Sequence, residues 1–304
     1  MLSMKKRSGF TVLGKKGNFL GIDKDISSYD ASKIVVLPVP YEHTVSYGGG
    51  TGRGPGAILN ASRYVEYYDE ELGTELCKNA GIATLPPLAL GKSADQKAME
   101  KIYRTVKELL ADGKFVALLG GEHTVSQAPI RAHLEKYPDL SVIQFDAHSD
   151  LRDSYEGSKY SHASVMARVC EFMDPARIVQ AGIRALCPEE AAFIRSSGIT
   201  TLFAHQIRAG GDWGALALSN LTQNVYVTFD VDAFDPPVMP STGTTEPNGL
   251  FWPETMQLLR QIGKQKRIVG FDVVEFAPNR AFTYPDYTAA KLTYKLMNYA
   301  FQES

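Results

Sequence analysis

The chain reads as an α/β protein with a largely parallel sheet sandwiched between helices, a three-layer α/β/α arrangement. Three observations carry that reading. Apolar, β-branched runs alternate with amphipathic helical stretches along nearly the whole length. The strand-like runs are continuously apolar, which calls for burial on both faces. Strand–helix alternation of this kind places helices on both sides of a parallel sheet.

Taken in order, the predicted strands are KIVVLPV (33–39), FVALLG (115–120), LSVIQF (140–145), RIVQAG (177–182), TTLFA (200–204), VYVTF (225–229) and RIVGFDVV (267–274). The predicted helices are 55–68, 95–112, 124–137, 162–173, 188–197, 252–265 and 283–301. Trp252-Pro253-Glu254 marks a helix start, because proline is tolerated in a first turn. No repeat, low-complexity tract or long Pro/Gly/Ser linker divides the 304 residues, so one domain is expected. Residues 1–25 and 72–94 are expected to be peripheral.

Composition excludes several classes. The net charge of −2 and the absence of a basic stripe argue against nucleic-acid binding. No stretch approaches a membrane span, and no apolar segment of signal-peptide length follows the basic start. Three cysteines (Cys77, Cys170, Cys187), none in a CxxC, argue against a disulfide framework and read as small apolar residues. The expected setting is soluble and cytoplasmic.

Three strand ends carry the chemistry. FVALLG runs into Gly120-Gly121-Glu122-His123, SVIQF into Asp146-Ala147-His148-Ser149-Asp150, and VYVTF into Asp230-Val231-Asp232-Ala233-Phe234-Asp235. In open parallel sheets ligands bind beyond the carboxyl ends of the strands, so these clusters should share one edge. An extended chain puts Asp146, His148 and Asp150 on one face, and likewise Asp230 and Asp232. Aspartate and imidazole suit borderline-hard metals. Four aspartates against two divalent ions avoid burying unpaired charge. Two ions about 3.5–4 Å apart can make a shared water a hydroxide near neutral pH, which points to metal-assisted hydrolysis.

Other residues fall near this edge. Glu275 follows RIVGFDVV and could grip a planar cation with paired hydrogen bonds. Asp272, inside that run, reads equally well as a hydrogen-bonded structural residue. His162, at a helix start, could move protons to a leaving group. His43, His133 and His205 read as structural or surface histidines. SYGGGTGRGPG (46–56) resembles a phosphate-cradling loop without the Gly-Lys-Ser/Thr ending, and reads better as a turn lining a pocket or a subunit contact. PPVMPSTGTTEPNGL (236–250) reads as an ordered loop over the metal-bearing edge.

GGEHTV (120–125), DAHSD (146–150) and TFDVDAFDPP…STGTTEPNGL (228–250) resemble, in order and spacing, the motifs of the arginase/agmatinase (ureohydrolase) family. The resemblance covers residues 30–300 and implies an arginase-like fold with two Mn2+. It implies one ion held by His123, Asp146, Asp150 and Asp230, and another by Asp146, His148, Asp230 and Asp232. It further implies that Glu275 binds guanidinium, that His162 shuttles protons and that Thr244 contacts substrate. The reaction it implies releases urea and an amine, from a homo-oligomer that is a trimer or hexamer. Departures are Thr245 in place of proline, Asn248 in place of glycine, and Ser149 in place of threonine.

The loop LRDSYEGSKYSH (151–162) lacks the Asn/Thr/Ser-rich pattern by which arginases read an amino-acid end. Its Asp153 and Glu156, with Tyr155 and Tyr160, suit an ammonium tail. The loop is similar to those of agmatinases, so agmatine cleaved to putrescine and urea is the expected reaction. Arg152 and Lys159 keep arginine, guanidinobutyrate and formiminoglutamate open, and guanidine itself stays open as well. A one-metal deacetylase should show adjacent histidines, which are absent. A phosphoryl-transfer enzyme should carry lysine or arginine within the three clusters, and none is there. A non-catalytic relative should have lost a ligand, Glu275 or His162, and all are present.

Overall fold

The computed structural model describes residues 9–302. Its strands are β1 (Ile34–Val39), β2 (Ile82–Thr84), β3 (Phe115–Gly120), β4 (Ser141–Phe145), β5 (Ile178–Ile183), β6 (Thr200–Phe203), β7 (Asn224–Asp230) and β8 (Arg267–Val274). They form one sheet in the order β2-β1-β3-β8-β7-β4-β5-β6, with parallel neighbours throughout. The helices are α1 (Lys24–Ser27), α2 (Gly54–Ser62), α3 (Leu76–Ala80), α4 (Asp95–Ala111), α5 (Gln127–Lys136), α6 (Val165–Cys170), α7 (Pro188–Ser197), α8 (Ala204–Arg208), α9 (Trp213–Ser219), α10 (Trp252–Gln265) and α11 (Tyr284–Ala300).

Alternate strand residues feed opposite cores, as a period of two requires. Ile34, Val36, Val225, Val227 and Phe229 face a core closed by α2, α10 and α11. Val35, Leu37, Val116 and Leu118 face α4 and α5, and Val142, Ile178 and Tyr226 face α6. The three-layer expectation therefore holds. The amphipathic α4 buries Ala98, Met99, Ile102, Val106 and Leu109, one stripe at helical spacing. α10 begins at Trp252 with Pro253 in its first turn, and the Glu254 carboxylate accepts from Phe251 N–H at 2.9 Å.

The region 72–94 is not simply peripheral, since it contributes β2, an edge strand paired with β1. Its Ile-Ala-Thr is too short to stand out as an apolar run. The first 25 residues are not peripheral throughout either. Phe19, Leu20 and Ile22 are buried in the core, and Thr84 Oγ1 accepts Phe19 N–H at 2.9 Å. Residues 1–8 of that segment lie outside the described residues. The helix expected at 55–68 ends at Ser62, and those expected at 124–137 and 162–173 open with 3-10 turns at His123–Ser126 and His162–Ser164.

The four central strands β3, β8, β7 and β4 are neighbours, and each ends at a proposed functional residue. Their carboxyl ends define the site.

Candidate functional site

β3 delivers His123 through a backbone approach that only glycine allows. A Cβ on Gly121 would collide with the Tyr41 carbonyl oxygen. Gly121 N–H donates to Val39 O and Glu122 N–H to Tyr41 O, both at 2.9 Å. His123 is buried, and its Nε2 lies 2.9 Å from Thr228 Oγ1. Thr228 donates its hydroxyl proton to Asp272 Oδ1 at 2.7 Å, so it accepts from His123 Nε2–H. In the neutral ring that leaves Nδ1 as the bare nitrogen, a common arrangement behind a metal-binding imidazole. Asp272 also accepts from the Tyr226 hydroxyl at 2.8 Å. Of the two readings open for Asp272, the hydrogen-bonded structural one fits these contacts, and through Thr228 the residue also supports His123.

β4 delivers Asp146 directly. Its Oδ1 accepts His148 N–H at 2.6 Å, and its Oδ2 accepts from the Gln144 amide at 2.7 Å. Gln144 is held in turn by Gln180 from β5, which Thr201 of β6 supports. This buried amide chain gave no signal in the sequence beyond glutamines inside apolar strands. Asp150 does not continue an extended face as expected. Its φ is +54°, a left-handed kink that non-glycine residues rarely adopt. Glu190 of α7 steadies the kink by accepting from Ser149 Oγ at 2.7 Å and Leu151 N–H at 2.9 Å.

β7 ends at Asp230, and a 3-10 turn (Val231–Ala233) follows. Asp230 and Asp232 therefore meet through a turn and not along a strand. Asp230 Oδ1 accepts Asp232 N–H at 2.9 Å, while Asp232 Oδ1 accepts Ala147 N–H at 2.9 Å. Glu275 follows β8 with φ +61°, and its Oε1 accepts His123 N–H at 2.6 Å. Left-handed backbone at both Asp150 and Glu275 is the local strain that accumulates at functional sites.

The side chains converge. His123 Nδ1 lies 3.0 Å from Asp146 Oδ2, 3.0 Å from Asp150 Oδ2 and 3.5 Å from Asp230 Oδ2. His148 Nδ1 lies 3.0 Å from Asp232 Oδ2 and 3.7 Å from Asp146 Oδ1. His123, Asp146 and Asp150 form one group able to hold a metal ion, and Asp146, His148 and Asp232 form a second. Asp146 belongs to both.

The donor set fits divalent ions. His123 Nδ1 is buried without a hydrogen-bond partner, aimed into the carboxylates. Among the described residues, no lysine or arginine forms an ion pair with Asp146, Asp150, Asp230, Asp232 or Glu275. Burial, with Asp232 and Asp146 nearby, pushes Asp230 well above the usual carboxylate range. Burial and the Asp146 charge push Asp150 up to about 7. Burial opposes charge on His148, but Asp232 and Asp146 outweigh it and raise the imidazole to about 12. Without metal, protons compensate the crowded charge.

A cavity of about 220 Å³ opens over this cluster. Glu275, Thr244 and His162 line it, as do His123, His148, Asp150, Asp230 and Asp232. Burial pushes Glu275 well above its usual range, with Glu122 and Asp232 adding repulsion. Burial lowers His162 below its ordinary 6.5, so the ring is neutral at pH 7. The 236–250 loop is ordered as anticipated. Arg184, a residue the sequence did not single out, donates to the carbonyls of Glu246 at 2.8 Å and Asp232 at 2.7 Å. The glycine-rich loop cradles no phosphate, because Glu42 already accepts the N–H groups of Gly50 at 2.6 Å and Gly52 at 2.8 Å. It packs on the cavity rim instead, where a Cβ on Gly48 would stand 2.5 Å from Gly243 O.

The expected tail contacts fall elsewhere. Asp153 turns to solvent and pairs with Arg168 at 2.8 Å and Lys159 at 3.4 Å. Glu156 sits exposed in a turn with φ +49° and does not line the cavity. Tyr155, Arg152 and Glu246 line it instead. Tyr155 and Ser158 exchange backbone N–H···O bonds of 2.9 and 3.0 Å, and the tight turn they close holds Glu156 at its exposed tip.

A parallel α/β sheet that presents paired His/Asp groups at its carboxyl edge has the make-up of a metal-dependent hydrolase. The Arginase family model matches residues 32–299, and the chain belongs to that family. It is 40% identical over 280 residues to the N(1)-aminopropylagmatine ureohydrolase of Synechocystis sp., covering 90% of this chain and 91% of that protein. It is 35% identical to the agmatinase of Bacillus anthracis, covering 84% and 87%. The structure of agmatine ureohydrolase from Thermoplasma volcanium superposes with a TM-score of 0.83 at 30% identity, covering 92% and 93% of the two chains.

Proposed function

We propose that this chain cleaves agmatine to urea and putrescine with two manganese ions in the His/Asp cluster. As a ureohydrolase of the arginase family, it hydrolyses a guanidino compound to urea and an amine. His123, Asp146, Asp150 and Asp230 would hold one ion, and Asp146, His148, Asp230 and Asp232 the other, with Asp146 and Asp230 shared. Bound divalent ions would lower the pKa of a water towards 7 and supply the nucleophile.

The observation that carries the substrate reading is Glu275. It is a buried carboxylate at the cavity floor with a raised pKa and no lysine or arginine partner among the described residues. A guanidinium placed there would satisfy it with two parallel N–H···O bonds and neutralise it. Four aspartates balance two dications, which leaves Glu275 for one substrate cation. His162, neutral and on the cavity wall, would handle the proton of the leaving amine. Glu246 and Tyr155 give the far end an acidic and aromatic wall suited to an ammonium group. The Arg152 guanidinium stacks over Tyr155 at 5.2 Å, with its Nε 3.8 Å from Glu190, so its charge is partly answered within the protein.

A second reading is agmatine extended by an aminopropyl arm, favoured by the 40% identity to the Synechocystis enzyme. Either product would serve polyamine synthesis. A trimeric or hexameric assembly in the cytoplasm completes the proposal. The family resemblance supports the assembly, and three unpaired cysteines suit the compartment.

Glu275→Gln tests the substrate role. The expected result is a loss of roughly 100-fold or more in kcat/KM with metal content unchanged. Equal loss of metal would assign Glu275 to the metal cluster instead.

A further inference from the structure

We infer that Thr44 and Glu122 are positioning residues for His162, linked so that the ring presents its Nε2 to the cavity. The inference rests on His162 being the proton-handling group of the proposed reaction. Glu122 is fully buried beside His123, and neither the metal cluster nor the substrate needs its carboxylate. The carboxylate instead takes three hydrogen bonds from one short segment. Oε2 accepts His43 N–H at 2.8 Å and Thr44 N–H at 2.7 Å, and Oε1 accepts the Thr44 hydroxyl at 3.0 Å.

The Thr44 oxygen has one proton and two lone pairs to distribute. Its proton goes to Glu122. One lone pair accepts His162 N–H at 3.1 Å. The other faces His162 Nδ1 at 3.4 Å. With its own proton committed, the hydroxyl can meet Nδ1 only as an acceptor, so Nδ1 carries the ring proton. The neutral ring then keeps its bare nitrogen at Nε2, which lies 3.5 Å from Ser46 Oγ on the cavity wall. Ser161 Oγ, 3.5 Å from Nδ1, is a weaker neighbour on the same side.

This is the logic by which a carboxylate fixes an imidazole tautomer, here relayed through one hydroxyl. The dipeptide Glu122-His123 thereby couples two tasks. Glu122 sets the ring that moves protons, and the next residue, His123, enters the metal cluster beside it. At 3.4 Å the Thr44 contact is long, so its loss should cost less than loss of the ring itself.

The test uses manganese-loaded enzyme in four forms: Thr44→Val, Thr44→Ser, His162→Phe and the Thr44→Val/His162→Phe double variant. Thr44→Val keeps the backbone bonds to Glu122 and removes only the hydroxyl. It should lower kcat about tenfold with KM and metal content little changed. Thr44→Ser should restore most of that loss. In the His162→Phe background, Thr44→Val should cost nothing further. Glu122→Gln offers a second route if Thr44→Val does not fold. Its amide would donate to Thr44 and free the hydroxyl to point at Nδ1, favouring the wrong tautomer and again lowering kcat. Wild-type kcat in Thr44→Val, or a full independent loss in the His162→Phe background, overturns the inference. So does a loss dominated by KM or metal content, which would make Thr44 merely structural. His162→Phe with unchanged kcat would instead sink the proton-handling role itself.

Discussion

Nδ1 of His123 is a buried nitrogen without a hydrogen-bond partner, ringed by three aspartates whose positions are fixed by other groups. Thr228 and Asp272 hold the ring from behind, Gln144 holds Asp146, and Glu190 holds the turn that carries Asp150. Such outer contacts orient ligands before any ion arrives. Asp232, like His123, Asp150 and His148, belongs to only one of the two proposed ion sites. Asp232→Ala should therefore leave a folded protein that binds about one metal fewer per chain and turns over roughly 100-fold or more slowly. Metal analysis beside kinetics checks this. A soluble variant with two ions and near-normal turnover would remove Asp232 from the ligand set.

At the level of elements, the site depends on where strands stop. β3, β4, β7 and β8 were legible because their apolar runs are long and each ends abruptly in charge. DAHSD and DVDAFD announced their chemistry through residue type and spacing. The local geometry was not legible. Asp232 lies within a 3-10 turn, and Asp150 and Glu275 adopt left-handed backbone, so a period of two could not describe how they converge. β2, α3, α8 and α9 escaped because runs of three to seven residues carry too little periodicity. Asp153 and Glu156 misled because the loop's charge pattern does not say which side chains turn inward.

His133 of α5 gives an element-level test. It is buried between α5 and the sheet, with its ring 4.9 Å from that of Tyr226 and Nδ1 2.7 Å from Pro129 O. Burial lowers it from 6.5 to about 4. Between those values the unfolded chain binds a proton that the folded chain refuses. Stability should therefore fall as pH drops from 6.5 to about 4, by about 3 kcal/mol from this group. His133→Gln removes the titration. The stability gap between wild type and variant, followed by urea unfolding across that range, should narrow by about that amount as pH falls. A constant gap would show that burial of His133 is not what the fold resists protonating.

Across the whole molecule, one eight-stranded parallel sheet gathers residues from positions 123 to 275 onto a single edge. The family match spans 32–299, while residues 19–22, ahead of it, still pack into the core beside α2. No described helix is long and apolar enough to cross a membrane. What the sheet creates is a cavity with a cluster suited to metal at one side, a buried carboxylate at its floor, and Glu246 with Tyr155 on its wall. That arrangement predicts a guanidino substrate with a cationic far end. The direct measurement is urea release by the manganese-loaded protein from agmatine, N(1)-aminopropylagmatine, arginine, guanidinobutyrate and guanidine, assayed side by side. The expected result is urea from agmatine or its aminopropyl derivative, with kcat/KM at least roughly tenfold above arginine and guanidinobutyrate. Preference for a substrate with a carboxylate tail would show that Glu246 and Tyr155 do not select a cation, and no urea from any of them with two ions bound would show that this cluster does not hydrolyse these guanidino compounds.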